Sequence, residues 1–264
     1  MPPCADRRWG CLTVVWLDEY ERRARLIPGL LAIFPLAILL SVLSLRQLPT
    51  VSYAMGAAAV IGMPVVVADI VRQRGRKTEK TLWASWGGPP TTAWLRLRDS
   101  SDNEVQRDLW RKAVAEVSGV ELLSLRAERA NPSRADQAIA TAVGQVRDLT
   151  RDTAKFKLLF NENRNYGFAR NLYGVRWIGR GISLGGVMVV GAYMAWVSLG
   201  RHQDGITAES LFGVASCLAF FIYWCVWPSP GRVREAANKY AQQLLQSAVT
   251  LKGEAPAAAS NPNA

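Results

Sequence analysis

The sequence predicts an all-α membrane protein built from two transmembrane helical hairpins, four spans in all, with a mainly helical cytoplasmic domain between them. Two observations lead to this fold class: the position of four apolar runs and the position of the basic residues beside them. The runs cover Leu26–Leu45, Val51–Ile70, Gly181–Gly200 and Ser210–Trp227. Each run is close to the roughly 20 residues that a helix needs to cross about 30 Å of hydrocarbon.

The basic residues lie on one side of the predicted spans. The chain carries a formal net charge of +11. If each pair of runs is a hairpin, the short connections 46–50 and 201–209 lie on the same side of the membrane. Their only Lys or Arg residues are Arg46 and Arg201. The opposite flanks contain Arg22, Arg23, Arg25, Arg72, Arg74, Arg76, Lys77, Lys80, Arg170, Arg176, Arg180, Arg232 and Arg234. This positive-inside pattern predicts a bacterial inner-membrane protein with both termini and the central region in the cytoplasm.

The placement of the charge also indicates its partners. In a soluble protein, a positive charge of this size would suggest nucleic acid. Basic residues beside apolar spans instead contact anionic lipid headgroups, at about 1 kcal/mol for each residue near the surface. We therefore expect membrane lipids, rather than nucleic acid, to be the partner of these flanks.

The apolar runs divide the chain into six predicted segments. The C-terminal one is an amphipathic helix after Pro230, whose apolar face needs a groove that the central domain would supply. The tail beyond it is rich in Ala, Pro and Asn, which predicts disorder. The segments are an amphipathic N-terminal stretch (1–25), hairpin 1 (26–71), the cytoplasmic domain (72–178), hairpin 2 (179–228), the amphipathic helix (229–252) and the tail (253–264).

Small residues predict which spans associate. Glycines and alanines cluster in the second run, at 56–62, and glycines recur in the third run, at 181–191. Small residues let the backbones of membrane helices approach closely. We therefore expect the second and third spans to pack together. They could do so within one chain or between chains, and the second case would make a homo-oligomer.

Local patterns predict the helices and breaks of the central domain. Ser101 followed by Glu104 fits a capping box, which predicts a helix from about Asp102 to Ser118, ended by Gly119. Apolar residues spaced three and four apart predict a second helix from Ala135 to about Phe160. The Gly-Gly-Pro-Pro sequence at 87–90 predicts a defined loop.

The chain contains no recognisable catalytic signature. Its one histidine, His202, lies in a predicted external loop, and no cluster of His, Cys and carboxylates has the spacing of metal ligands. Cytoplasmic thiols stay reduced, so Cys4 and Cys11 are expected to be free, and Cys217 and Cys225 are too far apart on one helix to bridge. We therefore predict neither a metal nor a cofactor.

Two polar segments that flank the predicted membrane form the candidate ligand-binding site. One, 80–92, leaves the second span, and the other, 161–171, precedes the third and surrounds a Tyr-Gly-Phe turn with asparagine and arginine. Amide and guanidinium groups at this density are poor helix formers and bind anions or bases well. The alternative is a hydrogen-bonded network that holds the domain against the membrane. The candidate residues are Lys80, Trp83, Trp86, Thr91, Thr92, Glu162, Asn163, Tyr166, Arg170 and Asn171.

The two segments contain the motifs Trp86-Gly87-Gly88-x-Pro90-Thr91-Thr92 and Glu162-Asn163-x-x-Tyr166-Gly167-Phe168-x-Arg170-Asn171. In these motifs the chain resembles uncharacterised small bacterial membrane proteins with the same layout. The resemblance extends over the two segments and the four-span plan. It implies a layout and no activity.

Three functions remain open on the sequence alone. The first is a non-enzymatic sensor or effector, whose cytoplasmic domain binds a partner protein or a small anionic ligand and signals to, or acts on, the membrane. The second is a small channel or carrier, which would need polar residues along one face inside the spans. The third is an enzyme that acts on lipid or nucleotide at the membrane surface, supported only by the polar segments.

Overall fold

The computed structural model describes residues 19–43, 63–199 and 207–259, and the side chains of 19–43, 65–199 and 207–254. Within these ranges the chain is helical and contains no β-strand, so the predicted all-α class is confirmed. Predictions for Cys4, Cys11 and His202, and for most of the second apolar run, lie outside the described residues.

The described ranges contain ten helices. The first includes a π-helical segment, Arg22–Leu26, in which one residue more than usual separates the bonded backbone groups. The helices are α1 (Glu19–Val42), α2 (Met63–Trp86), α3 (Pro90–Leu95), α4 (Glu104–Ser118), α5 (Leu125–Ala130), α6 (Pro132–Leu149), α7 (Lys157–Gly174), α8 (Arg176–Leu199), α9 (Ala208–Val226) and α10 (Pro230–Ala259).

Three of these helices, α1, α8 and α9, are long and apolar enough to cross a membrane. The sequence predicts four spans, but the second run is described only from Met63 onward, where it forms the start of α2. Large apolar side chains point outward from all three helices, as shown by Phe34, Met188 and Phe212, which are 51%, 66% and 68% exposed.

Glycines bring the candidate spans together. A Cβ atom on Gly179 of α8 would lie 2.2 Å from the indole of Trp224 on α9, and one on Gly186 would lie 2.8 Å from Cys217 Sγ. Helix α8 therefore packs closely against α9, and it also packs against α1. The predicted pairing of the second and third spans depends on Gly56 and Gly62, which lie outside the described residues.

The other helices form a domain whose core is shared by α4, α6 and α10. Ile139 and Val143 of α6 are buried together with Leu244, Leu245 and Ala248 of α10. The C-terminal helix thus lays its apolar face in a groove of the central domain, as its periodicity predicts. It continues to Ala259, past the predicted start of the disordered tail.

The predicted single helix from Ala135 to Phe160 is wrong. Helix α6 ends at Leu149, because the hydroxyl of Thr150 donates to the carbonyls of Val146 and Arg147, at 2.9 and 3.2 Å. The carboxylate of Asp152 then accepts two backbone N–H groups, at 2.9 and 3.1 Å. Such local side-chain bonds to the backbone compete with helix formation.

Two further local predictions need correction. Helix α4 begins after Asn103, whose side chain accepts the N–H of Gln106 at 2.9 Å, so the predicted capping box from Ser101 to Glu104 does not form. The Tyr-Gly-Phe turn is also wrong, because 161–171 is helical throughout as part of α7. The predicted stop at Gly119 is confirmed, since this residue has a left-handed φ of 68°.

Candidate functional site

Four of the ten candidate residues line one cleft, which we call the Trp83 cleft. Its walls are Trp83 of α2, Thr91 and Thr92 of α3, Arg147 of α6, Tyr166 of α7 and Tyr240 of α10, and its volume is about 250 Å³. The two polar segments of the sequence therefore meet at this point, but only through part of each segment.

The chain reversal between α2 and α3 creates the upper wall of the cleft. Gly87 and Gly88 have φ values of 78° and 128°, which side chains rarely allow, and they turn the chain directly after Trp86. Pro90 then starts α3, where its missing N–H costs nothing. As a result, Thr91 and Thr92 are buried beside Trp83 with exposures of only 7% and 4%.

Aromatic rings and one cation determine the chemistry of the cleft. The rings of Tyr166 and Tyr240 are stacked, with centroids 6.1 Å apart. Burial raises the pKa of Tyr240, and the nearby guanidinium of Arg147 partly offsets that rise. Arg147 makes no ion pair with any described residue, but its side chain hydrogen-bonds to Tyr240. The indole N–H of Trp83 is buried near the hydroxyl of Tyr166, but it makes no hydrogen bond within the described chain.

Behind the cleft, Tyr166 belongs to a partly buried ionic network. Its hydroxyl donates to Glu79 Oε1 at 2.6 Å, and Arg170 Nη1 donates to both oxygens of Glu79, at 3.1 and 3.0 Å. Burial, followed by the charge of Glu79, raises the pKa of Tyr166, so the phenol stays protonated at neutral pH. Three charged or polar groups of α2 and α7 thereby satisfy one another.

Asn171 connects the same helix to the first candidate span. It is fully buried, and its amide donates to the carbonyl of Ala24 at 2.7 Å. Ala24 lies in the π-helical segment of α1. Gly75 makes room for this contact, because a Cβ there would lie 1.8 Å from Asn171 Oδ1.

The remaining candidates lie elsewhere. Trp86 packs in an apolar cluster with Leu82, while Lys80 is exposed and Asn163 is half-buried. Glu162 faces away from the Trp83 cleft into a second cavity of about 320 Å³, between α7, α10 and the end of α9. We call this cavity the Trp227 groove; its lining includes Glu162, Phe168, Leu172, Trp227, Arg232, Glu235 and Lys239.

Sequence analysis did not identify several residues of these networks. Arg147 occurs beside Asp148 and suggests an ordinary solvated face, and Tyr240 fits the apolar stripe of α10. Glu79 lies within a basic stretch and carries no motif. The buried pair of Glu128 and Arg111, joined at 2.9 Å, likewise has no local signal, because its members are 17 residues apart on different helices.

Within 19–43, 63–199 and 207–259, no group of three or more His, Cys, Asp or Glu residues is arranged to hold a metal ion.

No family model, curated protein or solved structure matches this chain.

Proposed function

We propose that this chain is an integral protein of the bacterial inner membrane, and that its cytoplasmic helical domain binds a small anionic ligand in the Trp83 cleft and transmits binding to the spans. It is a sensor or effector without an enzymatic reaction of its own. The proposal has three parts: insertion in the membrane, binding in the cleft, and coupling through α7.

Membrane insertion is supported by arginine–aromatic pairs at one end of the candidate spans. The guanidinium of Arg176 lies 3.6 Å from the ring centre of Tyr173, at the start of α8. That of Arg232 lies 3.7 Å from the ring of Trp227, just after α9 ends. Aromatic rings and cations concentrate where a span meets the cytoplasmic headgroups. The outward-facing apolar side chains of α1, α8 and α9 then face lipid.

Ligand binding is supported by one cation and one buried N–H donor beside apolar walls. Arg147 supplies a positive charge without an ion-pair partner in the described chain, and Trp83 supplies a buried N–H donor. The tyrosine rings and the prolines offer flat apolar surfaces. A volume of about 250 Å³ lies just below the usual range of about 300–1,000 Å³ for ligand pockets, so the ligand is small.

Coupling to the membrane is the step on which the proposal depends most, and it is carried by α7. Tyr166 forms part of the cleft wall and also donates to Glu79. Asn171, about 7.5 Å further along the same helix, holds the first candidate span. Only Val175 separates α7 from α8. A ligand that displaces Tyr166 therefore acts on a helix that directly precedes one candidate span and is bonded to another.

Mass analysis of the protein purified in mild detergent tests ligand binding. We expect a small anion to co-purify with the parent chain and to be lost from Arg147→Ala, because the cleft then lacks its cation. Arg151→Ala is the matched control, since Arg151 is exposed and, among the described residues, bonds only to Asp148. Identical small-molecule content in the parent and in Arg147→Ala would refute the proposal.

Topology is tested separately. Reporter fusions after Asn131 and after the last residue should both report the cytoplasm, and the chain should stay with membranes washed in carbonate. Release of the intact chain by carbonate would refute membrane insertion, whatever the cleft binds.

A further inference from the structure

The Trp227 groove differs from the Trp83 cleft in position and charge. It lies between α7 and α10 at the point where α9 ends. Two carboxylates, Glu162 and Glu235, and two cations, Arg232 and Lys239, line it, so its formal charge sums to zero. Neutrality is notable in a chain with a net charge of +11.

The groove changes from apolar to charged along its length. Helices α7 and α10 run antiparallel here, because Tyr166 stacks on Tyr240 while Leu172 packs near Trp224 at the end of α9. The end of the groove nearest the candidate spans is consequently apolar, with Leu172 and Trp227. The first charge met on moving away from the spans is that of Arg232.

Beyond Arg232 the carboxylates follow. Glu235 lies three residues along α10 on the same face, a rise of about 4.5 Å. Glu162 of α7 and Lys239 of α10 come next. Lys239 is paired with Glu235 at 2.8 Å, whereas Glu162 and Arg232 make no ion pair within the described residues. The guanidinium of Arg232 lies 3.7 Å from the ring centre of Trp227.

We propose that the Trp227 groove binds a phospholipid with a zwitterionic headgroup that carries a primary ammonium, namely an ethanolamine phospholipid. The acyl and glycerol parts lie against Leu172 and Trp227, and the phosphate accepts from Arg232. The ammonium donates to Glu162 and Glu235. This inference rests on the membrane insertion proposed above and is independent of the Trp83 cleft.

The order of charges selects this headgroup. The ethanolamine unit places a cation two carbons beyond the phosphate. The groove places Glu235 about one helical turn beyond Arg232, and Glu162 lies further along, beside Lys239. A glycerol headgroup has no cation to meet Glu162. A choline headgroup has no N–H donor, and the Trp227 face that could hold its methylated cation is already covered by Arg232.

Competition between lipids tests the proposal. The full chain in mild detergent is mixed with equal amounts of ethanolamine, glycerol and choline phospholipids that have the same acyl chains, and bound lipids are counted by native mass spectrometry. We expect the ethanolamine lipid to be retained roughly tenfold over the other two, the effect of one charge-assisted hydrogen bond. Equal retention of the ethanolamine and glycerol lipids would overturn the proposal.

Two variants test which residue binds the ammonium and which binds the phosphate. Glu162→Gln should remove the preference for ethanolamine, while Arg232→Gln should lower retention of all three lipids. Arg234→Gln is the matched control, because Arg234 has the same charge on the same helix and does not line the groove. An equal loss in Arg232→Gln and Arg234→Gln would show that general basic charge, rather than the groove, holds the lipid, and would overturn the proposal.

Two further experiments distinguish this lipid site from a site for the free headgroup and from the Trp83 cleft. Free phosphoethanolamine in excess should displace little of the lipid, and complete displacement would mean that the soluble headgroup, rather than a membrane lipid, is the ligand. Arg147→Ala should keep the lipid preference, because Arg147 lines only the Trp83 cleft of the two cavities. A protein that loses its small anion but keeps its lipid preference therefore separates the two sites.

Discussion

The crossing of α2 and α7 is tight enough for one added methyl group to test it. A Cβ atom on Gly174 would lie 2.9 Å from Gly75 N and 3.0 Å from both Gly75 Cα and Arg74 C. These are backbone atoms, which cannot rotate away as a flexible side chain can. Gly174→Ala must therefore push the two helices apart.

The magnitude follows from the missing space. Ordinary contacts of a Cβ atom begin at 3.4 Å, about 0.5 Å more than this crossing provides. Overpacking of this kind lowers the free energy of unfolding by about 1–3 kcal/mol. The better helix propensity of alanine offsets up to about 1 kcal/mol of that loss. We expect Gly174→Ala to lower the free energy of unfolding by up to about 3 kcal/mol overall, and not to raise it.

The assay is equilibrium unfolding of the purified chain in mild detergent, followed by far-ultraviolet circular dichroism. Gly144→Ala is the matched control, because Gly144 lies inside α6 with no atom within 4 Å of the added Cβ, and it should gain up to about 1 kcal/mol. If both variants gain stability alike, α2 and α7 do not cross as closely as described, and the coupling of the cleft to the spans through α7 loses its basis.

Two predictions concern the central domain. Glu128→Gln should cost about 3–5 kcal/mol of unfolding free energy in the same assay, because it leaves a buried arginine unpaired, whereas exposed Glu121→Gln should change little. Burial alone would raise the pKa of Asp136, but hydrogen bonds from Arg96 and Arg98 hold that pKa below its usual value. The resulting stability is present above the unfolded-state pKa and is lost as pH falls through the folded-state pKa. Acid titration of Asp136→Asn should therefore show a flatter loss of stability below about pH 4 than the parent, and an unchanged acid limb would contradict this.

Much of the architecture follows from local patterns. The apolar runs place α1, α8 and α9 because a helix that could span a membrane is recognised by length and composition alone. The stripe of α10 predicts its burial because a helix with one apolar face must cover it. The left-handed stop at Gly119 follows because glycine adopts that conformation without strain.

The candidate site is only partly predictable, because local patterns do not show which distant residues meet. Composition marks two polar segments, and Trp83 and Tyr166 do meet in one cleft. It does not reveal that Glu162, four residues before Tyr166, faces a different cavity. Nor does it reveal that Arg147 and Tyr240 complete the cleft, since their partners lie on helices far away in the sequence.

The sequence by itself determined the helical class, the position of three apolar helices and the two segments from which the cleft is built. Tertiary structure alone decided that 161–171 is a helix rather than a turn. It also decided that side chains of this segment line the Trp83 cleft, bond to α1 and line the Trp227 groove. The physical reason is one of magnitude. Poor helix propensity costs up to about 0.7 kcal/mol for an ordinary residue, whereas burying side chains such as Tyr166 and Leu172 stabilises by about 1.5–3 kcal/mol each, and burial depends on neighbours that only the folded chain provides.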